Sequence, residues 1–201
     1  VTVKGNTEIS GVIGINAAGG NVTLNGSTNI TGNDGKGVAI NASNGGNVTI
    51  DSGNSAVNIN GQINADNGSI VIDSGNATGK ITGDVKAVNK GSVEISLNDK
   101  ASLLKGGYKV DGNSSIVMNI KNGATWEVED YKETPAAYRM ARASLAPAAP
   151  GAVTGLIING GATEGEAGNL KINSTSNLDV ASWSGWENVL YNHKDKGANV
   201  D

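Results

Sequence analysis

Two carboxylates at equivalent places in a repeated motif are the residues that most invite a chemical role. Asp51 and Asp73 lie one repeat apart, and each is followed by Ser-Gly-Asn. If the two motifs stack on each other, the carboxylates lie about 5 Å apart and repel. A hard cation such as Ca²⁺ would relieve that repulsion. The alternative is that both aspartates occupy solvated turns, and we favour that interpretation.

Other residue types with catalytic or metal-binding chemistry are scarce. His193 is the single histidine and lies in the charged stretch 192–196, so we expect it to be exposed and without partner ligands. The chain has no cysteine, which excludes disulfides, cysteine metal sites and thiol chemistry. No Gly-x-Ser-x-Gly motif is present to form a nucleophile elbow. The sequence therefore predicts no catalytic residue, no metal site and no cofactor, in a protein that is not an enzyme.

Residues 131–155 differ in composition from the rest of the chain, and we expect binding there. The segment is rich in Ala and Pro, and Pro135 could occupy the first turn of a short helix after Thr134. A mobile or processing loop is an equally weighted alternative. The segment carries four side chains of types that are common in protein interfaces: Tyr131, Tyr138, Arg139 and Arg142.

A short pattern of turn residues followed by an alternating apolar pair recurs along the chain and would position these residues. Its first apolar residues are separated by 26, 22, 23 and 23 residues. A second apolar register follows within each repeat, for example at Ile59, and a third includes Ile63, Val85 and Val110. The first register comprises Val22, Val48, Ile70, Val93 and Ile116.

Three strands in about 23 residues are typical of one turn of a β-helix. Alternation places Val22 and Leu24 on one face and Thr23 on the other, and a strand this short buries its apolar face only by stacking on its copies. Gly and Asn, which tolerate positive φ, would form the corners. Asn-Gly pairs also suit hairpins, but a hairpin sheet would not need the repeat.

The predicted fold is therefore all-β: a right-handed, single-stranded parallel β-helix with three short strands per coil. We expect about eight coils in one domain. Residues 1–130 form the first coils, residues 131–155 form an insertion at one corner, and residues 156–201 form further coils. Trp183 and Trp186 suit a wider or terminal coil.

The overall composition agrees with an ordered solenoid. The chain of 201 residues has 30 Gly and 27 Asn but no Phe, so its core must consist of small aliphatic side chains. A hydrophobic fraction of 37% with a net charge of −4 is unlike a disordered chain. No basic stripe suggests nucleic acid, and no apolar run could span a membrane. The sequence begins within the pattern, and we expect it to be an excised segment.

Two motifs suggest a family. The stretch Asn122-Gly123-Ala124-Thr125-Trp126 resembles a rung found in the passenger domains of pertactin-like autotransporters, which are type V secreted proteins of Gram-negative bacteria. Residues 185–191, Gly-Trp-Glu-Asn-Val-Leu-Tyr, are similar in style. The resemblance implies export, passage through a C-terminal outer-membrane β-barrel in the full-length protein, and display at the cell surface.

The function expected from this resemblance is that of a structural or adhesive stalk segment. It would present loops to a ligand on a host or bacterial surface, or self-associate. The alternative is a carbohydrate-active enzyme similar to pectate lyases or hydrolases, which share the β-helix fold and place acidic pairs on its outer face. Asp51 and Asp73 are the only pair that we identify for that alternative.

Overall fold

The computed structural model describes residues 1–133, 155–158, 168–172 and 183–184. These residues form strands and a single short 3₁₀ turn at Asn33–Gly35. The strands make up three parallel sheets, which we name A, B and C.

Sheet A is the largest of the three. It consists of β1 (Thr2–Lys4), β4 (Asn21–Asn25), β7 (Asn47–Asp51), β10 (Ser69–Asp73), β13 (Ser92–Leu97), β16 (Ser115–Ile120), β18 (Gly155–Ile158) and β20 (Trp183–Ser184). Sheet B consists of β2 (Thr7–Gly11), β5 (Thr28–Gly32), β8 (Val57–Asn60), β11 (Gly79–Thr82), β14 (Leu103–Gly106), β17 (Thr125–Val128) and β19 (Asn169–Ile172). Sheet C consists of β3 (Ile13–Ala18), β6 (Val38–Ser43), β9 (Gln62–Asp66), β12 (Val85–Val88) and β15 (Tyr108–Val110).

The predicted repeat is confirmed strand by strand. In sheet A the first apolar residues of successive repeats are direct partners in parallel register, from Val22 with Val48 to Val93 with Ile116. Within residues 2–110 each coil therefore contributes one strand to each sheet and continues into the next coil. The chain is a β-solenoid with coils of about 23 residues, as the spacing predicts.

The described residues form about six turns, where the sequence predicts about eight coils for the whole chain. Within the described residues the three sheets have unequal numbers of strands. Sheet A has eight strands, but sheet C ends at β15 after five. We number the coils from one (β1–β3) to five (β13–β15), and coil six has β16 and β17. Strand β18 pairs with β16 directly, so the chain rejoins sheet A after residues 129–154.

Aliphatic side chains form continuous files inside the solenoid. Sheet A supplies two files, and sheet B supplies one in which Leu104 is followed by the fully buried Trp126. The sheet C files pair a branched residue with a small one, as in Ile40 and Ala42. The register corrects one sequence assignment, because Tyr108 and not Val110 follows Val85. Replacing a buried isoleucine of these files, such as Ile40, by alanine lowers the free energy of unfolding by about 2–5 kcal/mol.

The corners between sheets C and A use asparagine at positive φ. Asn44, Asn67 and Asn89 have φ of 53°, 54° and 54°, a conformation that asparagine tolerates better than most residues. In the turn from Ser43, the amide of Gly46 donates to the Ser43 carbonyl at 2.9 Å. These are the φ signs of a type I′ turn. The flanking strands nevertheless enter different sheets, so the hairpin alternative is wrong here.

In coil five, Asp111 occupies the corner that follows the sheet C strand. It is buried, its Oδ2 accepts from the Asn89 amide at 2.7 Å, and its Oδ1 accepts from the Asn113 amide at 3.1 Å. Burial alone would raise the pKa of Asp111. Hydrogen bonds from the Ser114 side chain and from the amides of Asn89, Asn113 and Ser114 outweigh burial and hold the pKa below its ordinary value.

Glycine is required where successive corners touch. Gly53 and Gly75 occupy equivalent corners at φ of 60° and 56°. A Cβ at Gly75 would lie 1.8 Å from the Gly53 carbonyl oxygen, whereas a Cβ at Gly53 would meet nothing within 4 Å. The two positions therefore separate backbone strain from steric overlap.

We predict that Gly75→Ala destabilises the protein clearly more than Gly53→Ala. Both alanines carry the cost of a left-handed residue, about 1–2 kcal/mol, but only Ala at position 75 also displaces a neighbouring backbone. Equilibrium urea unfolding of both variants measures the difference. Equal losses of stability would contradict the stacking of these corners.

Asp111→Asn should destabilise the protein at neutral pH by about 1–3 kcal/mol, because buried amides lose a charged acceptor. A depressed pKa gives stability that is present above the unfolded-state pKa of about 3.9 and lost as pH falls through the folded value. The difference in the free energy of unfolding between variant and wild type should therefore narrow below about pH 3.9. Thermal unfolding against pH measures it, with the exposed Asp34→Asn as control. A gap that is constant down to pH 2 would refute this role.

Candidate binding surface on sheet C

The carboxylates of Asp51 and Asp73 are engaged in the turns of their own Asp-Ser-Gly-Asn motifs. Asp51 Oδ1 accepts from the Gly53 amide at 3.2 Å, and Asp73 Oδ1 accepts from the Gly75 amide at 2.8 Å. The two aspartates are register partners on adjacent coils, as the sequence predicts. Each therefore serves its own corner, which favours the turn interpretation over a cation site.

The serines of the same motifs are buried and join neighbouring coils. Ser52 Oγ donates to the Asp73 carbonyl and Ser74 Oγ to the Ser96 carbonyl, both at 3.3 Å. Ser102, which lies between β13 and β14 in coil five, makes a similar link: its Oγ accepts from the Gly79 amide at 2.9 Å. The motif thus has a structural explanation in which the aspartate closes the turn and the serine ties it to the next coil.

The chain leaves the solenoid path after β17. In earlier coils a sheet B strand continues directly into sheet C, but residues 129–133 instead fold back across the outside of sheet C; we name them the clasp. Gly107 permits the crossing, because a Cβ there would lie 2.5 Å from the Glu129 carbonyl oxygen and 2.5 Å from the Tyr131 nitrogen. Glu129 also pairs with Lys105 at 3.3 Å.

Two hydrogen bonds join the clasp to coils three and four. The amide of Lys132 donates to Asp84 Oδ2 at 2.6 Å, and the other oxygen of that carboxylate accepts from the Gly107 amide at 2.8 Å. Further back, Gln62 Nε2 donates to the hydroxyl oxygen of Tyr131 at 3.1 Å. The clasp therefore reaches from coil six to coil three.

Glu133 bridges two stacked lysines. Lys86 and Lys109 are register partners on adjacent coils, so their side chains leave sheet C side by side. Glu133 lies 2.6 Å from Lys109 Nζ and 3.7 Å from Lys86 Nζ. Lys109 Nζ also lies 5.6 Å from the centre of the Tyr131 ring, within cation–π range. Opposite charges and an aromatic face thus hold the clasp on sheet C.

Burial raises the pKa of the Tyr131 hydroxyl above its ordinary value, and the charges of Glu133 and Asp84 raise it further. The hydrogen bond from Gln62 acts in the opposite direction and is outweighed. The pKa is therefore shifted further from neutral pH, where the hydroxyl is protonated.

An asparagine ladder continues the surface toward the N-terminal coils. Asn41 Nδ2 donates to Asn16 Oδ1 at 2.8 Å, and Asn64 Nδ2 donates to Asn41 Oδ1 at 2.6 Å. The same row continues through Lys86 and Lys109 by register. The outer face of sheet C is thus polar and changes along the rod from amide to cationic.

Of the four residues that sequence predicted for binding, the structure describes Tyr131, and it lies against sheet C. Tyr138, Arg139 and Arg142 fall outside the described residues, as does His193. Sequence reasoning did not single out the partners of the clasp, which are Gln62, Asp84, Lys86 and Lys109. The 23-residue spacing of Lys86 and Lys109 is a signal that could have paired them.

The described residues show neither a metal site nor a membrane span. Among them, no three His, Cys, Asp or Glu residues are grouped closely enough to hold a metal ion. Within the same ranges, no helix has the length and hydropathy needed to cross a bilayer. Comparison of the chain with protein-family models, curated proteins and solved structures finds no match.

Proposed function

We propose that this chain is a stalk segment of an autotransporter passenger, displayed at the bacterial cell surface, where it presents loops for adhesion or aggregation. The observation that carries the proposal is the continuous stack of coils. Backbone hydrogen bonds between coils run along the solenoid axis, and the aliphatic files run beside them. The motif at residues 122–126 supports the family, and its Trp126 is buried in the core.

Such a stack suits a mechanical role. Every coil in residues 1–110 pairs with its neighbour in all three sheets, so a load along the axis is shared by many parallel hydrogen bonds. The outer faces carry short polar side chains, such as those of Thr23 and Thr49, which keep the rod hydrated without disturbing the core. The full-length protein would carry the C-terminal β-barrel through which the passenger is exported.

Surface display requires the solenoid core, so a matched pair of variants tests the first half of the proposal. Val71 and Ile72 are neighbours in β10, but Ile72 is buried inside whereas Val71 faces outward. Ile72→Asn should prevent stable display, because it leaves a cavity and buries an amide at a cost of about 3 kcal/mol or more. Val71→Asn should be displayed like wild type.

For the measurement, each chain is fused between a signal peptide and an outer-membrane translocator barrel and expressed in a Gram-negative host. Flow cytometry then quantifies the displayed chain before and after external protease. Wild type that remains inside the cell, or an Ile72→Asn variant that is displayed and protease-resistant, would contradict the proposal.

Adhesion tests the second half. Cells that display wild type should aggregate or attach to a surface more than cells carrying the translocator alone. Arg139→Ala with Arg142→Ala should reduce that attachment without reducing display, because arginine is a frequent contact residue in interfaces. The matched control is Lys80→Ala with Lys100→Ala, which removes two exposed cations from other coils.

An assay of the purified chain tests the enzyme alternative. Wild type should not depolymerise polygalacturonate, with or without Ca²⁺, and Asp51→Asn with Asp73→Asn should leave that result unchanged. Polymer cleavage that disappears in the double variant would replace the stalk proposal by the carbohydrate-active one.

A further inference from the structure

In a simple solenoid each coil contacts only its neighbours, so stability is a sum of coil and interface contributions. The clasp departs from that rule. Tyr131 follows coil six but contacts Gln62 in coil three, which is 69 residues earlier in the chain. Such a contact couples coils that do not touch each other directly.

We propose that the clasp joins coils three to six into one cooperative unfolding unit, separate from coils one and two. The rod would then open in two blocks instead of fraying coil by coil. The clasp would thereby fix which part of the rod remains folded when its other end is disturbed.

The contacts are distributed so that one segment touches each coil of the block. Tyr131 reaches Gln62 in coil three, and Lys132 reaches Asp84 in coil four. Glu133 contacts Lys86 in coil four and Lys109 in coil five. Opening any of these coils therefore breaks a contact that also holds the others.

Coils one and two differ in two respects. The inward residues Val3 and Ile9 of coil one are only partly buried, and so is Val22 in coil two, so less apolar surface stabilises this end of the rod. Coil two also carries the 3₁₀ turn Asn33–Gly35 and an irregular register between β6 and β9. Both features set a natural boundary after β6.

A substitution at Gly107 offers a way to displace the clasp without replacing any side chain that holds it. A Cβ at position 107 would overlap the backbone of Glu129 and Tyr131, whereas a Cβ at Gly112, in the loop that follows β15, would meet nothing within 4 Å. Gly107→Ala should therefore displace the clasp, and Gly112→Ala is its matched control.

The test is native-state hydrogen exchange of the full chain, read by mass spectrometry strand by strand. In wild type, β9, β12 and β15 should open with one common free energy, and β3 and β6 should open more readily. Gly107→Ala should speed exchange in β9, β12 and β15 together by about fivefold or more, as expected for a loss of about 1 kcal/mol. Exchange in β3 and β6 should be unchanged, as should all strands of Gly112→Ala.

Acceleration confined to β14 and β15, beside the substituted residue, would overturn the proposal, because it would show a local defect without coupling. If Gly107→Ala does not fold, Tyr131→Phe and Gln62→Ala take its place, singly and together. Each should speed exchange in β12 and β15 as well as in β9, and the double variant should add little to either. Two results would refute the clasp as a coupling device. One is faster exchange in β9 alone, and the other is a double variant in which the effects of the two single substitutions on exchange add fully.

Discussion

The whole structure depends on the stacking of each strand on its own copy from the previous coil, in parallel and in register. That stacking satisfies the backbone groups of every strand except those at the ends of the sheets, and it places like side chains above one another. Inside, this favours aliphatic files, because β-branched side chains pack well on a pleated surface. At the corners it brings backbones so close together that only glycine fits at position 75 and asparagine recurs at positive φ.

Stacking also explains how much of the fold could be predicted from sequence. A register that must repeat leaves a periodic trace, and the spacing from Val22 to Ile116 therefore predicted the sheet A partners correctly. The alanine file of sheet C was missed, because alanine alone gives a weak apolar signal. Tyr108 was passed over for Val110 for a related reason, since the short strand β15 offers two apolar candidates and the repeat length does not choose between them.

The site was less predictable than the fold. Residues 131–155 differ from the rest of the chain in composition, and we expected binding there. In the structure Tyr131 contacts sheet C of the same chain. Its partners Gln62 and Asp84 are ordinary polar residues in sequence and become neighbours only because the chain folds back across Gly107. Contacts between distant coils leave no periodic trace. The Asp-Ser-Gly-Asn motifs show the converse, since a conspicuous motif proved to serve local turns.

Distances along the outer row of sheet A test the stacking most directly. Thr2, Thr23, Thr49, Val71, Glu94 and Val117 lie in register, and the chain has no cysteine, so spin labels can be placed on chosen pairs. Double electron–electron resonance should give about 19 Å between labels at positions 2 and 94 and about 24 Å between labels at positions 2 and 117. The difference of about 4.8 Å is the spacing of one further coil. A separation that stays constant or shrinks between these two pairs would contradict the stacked solenoid.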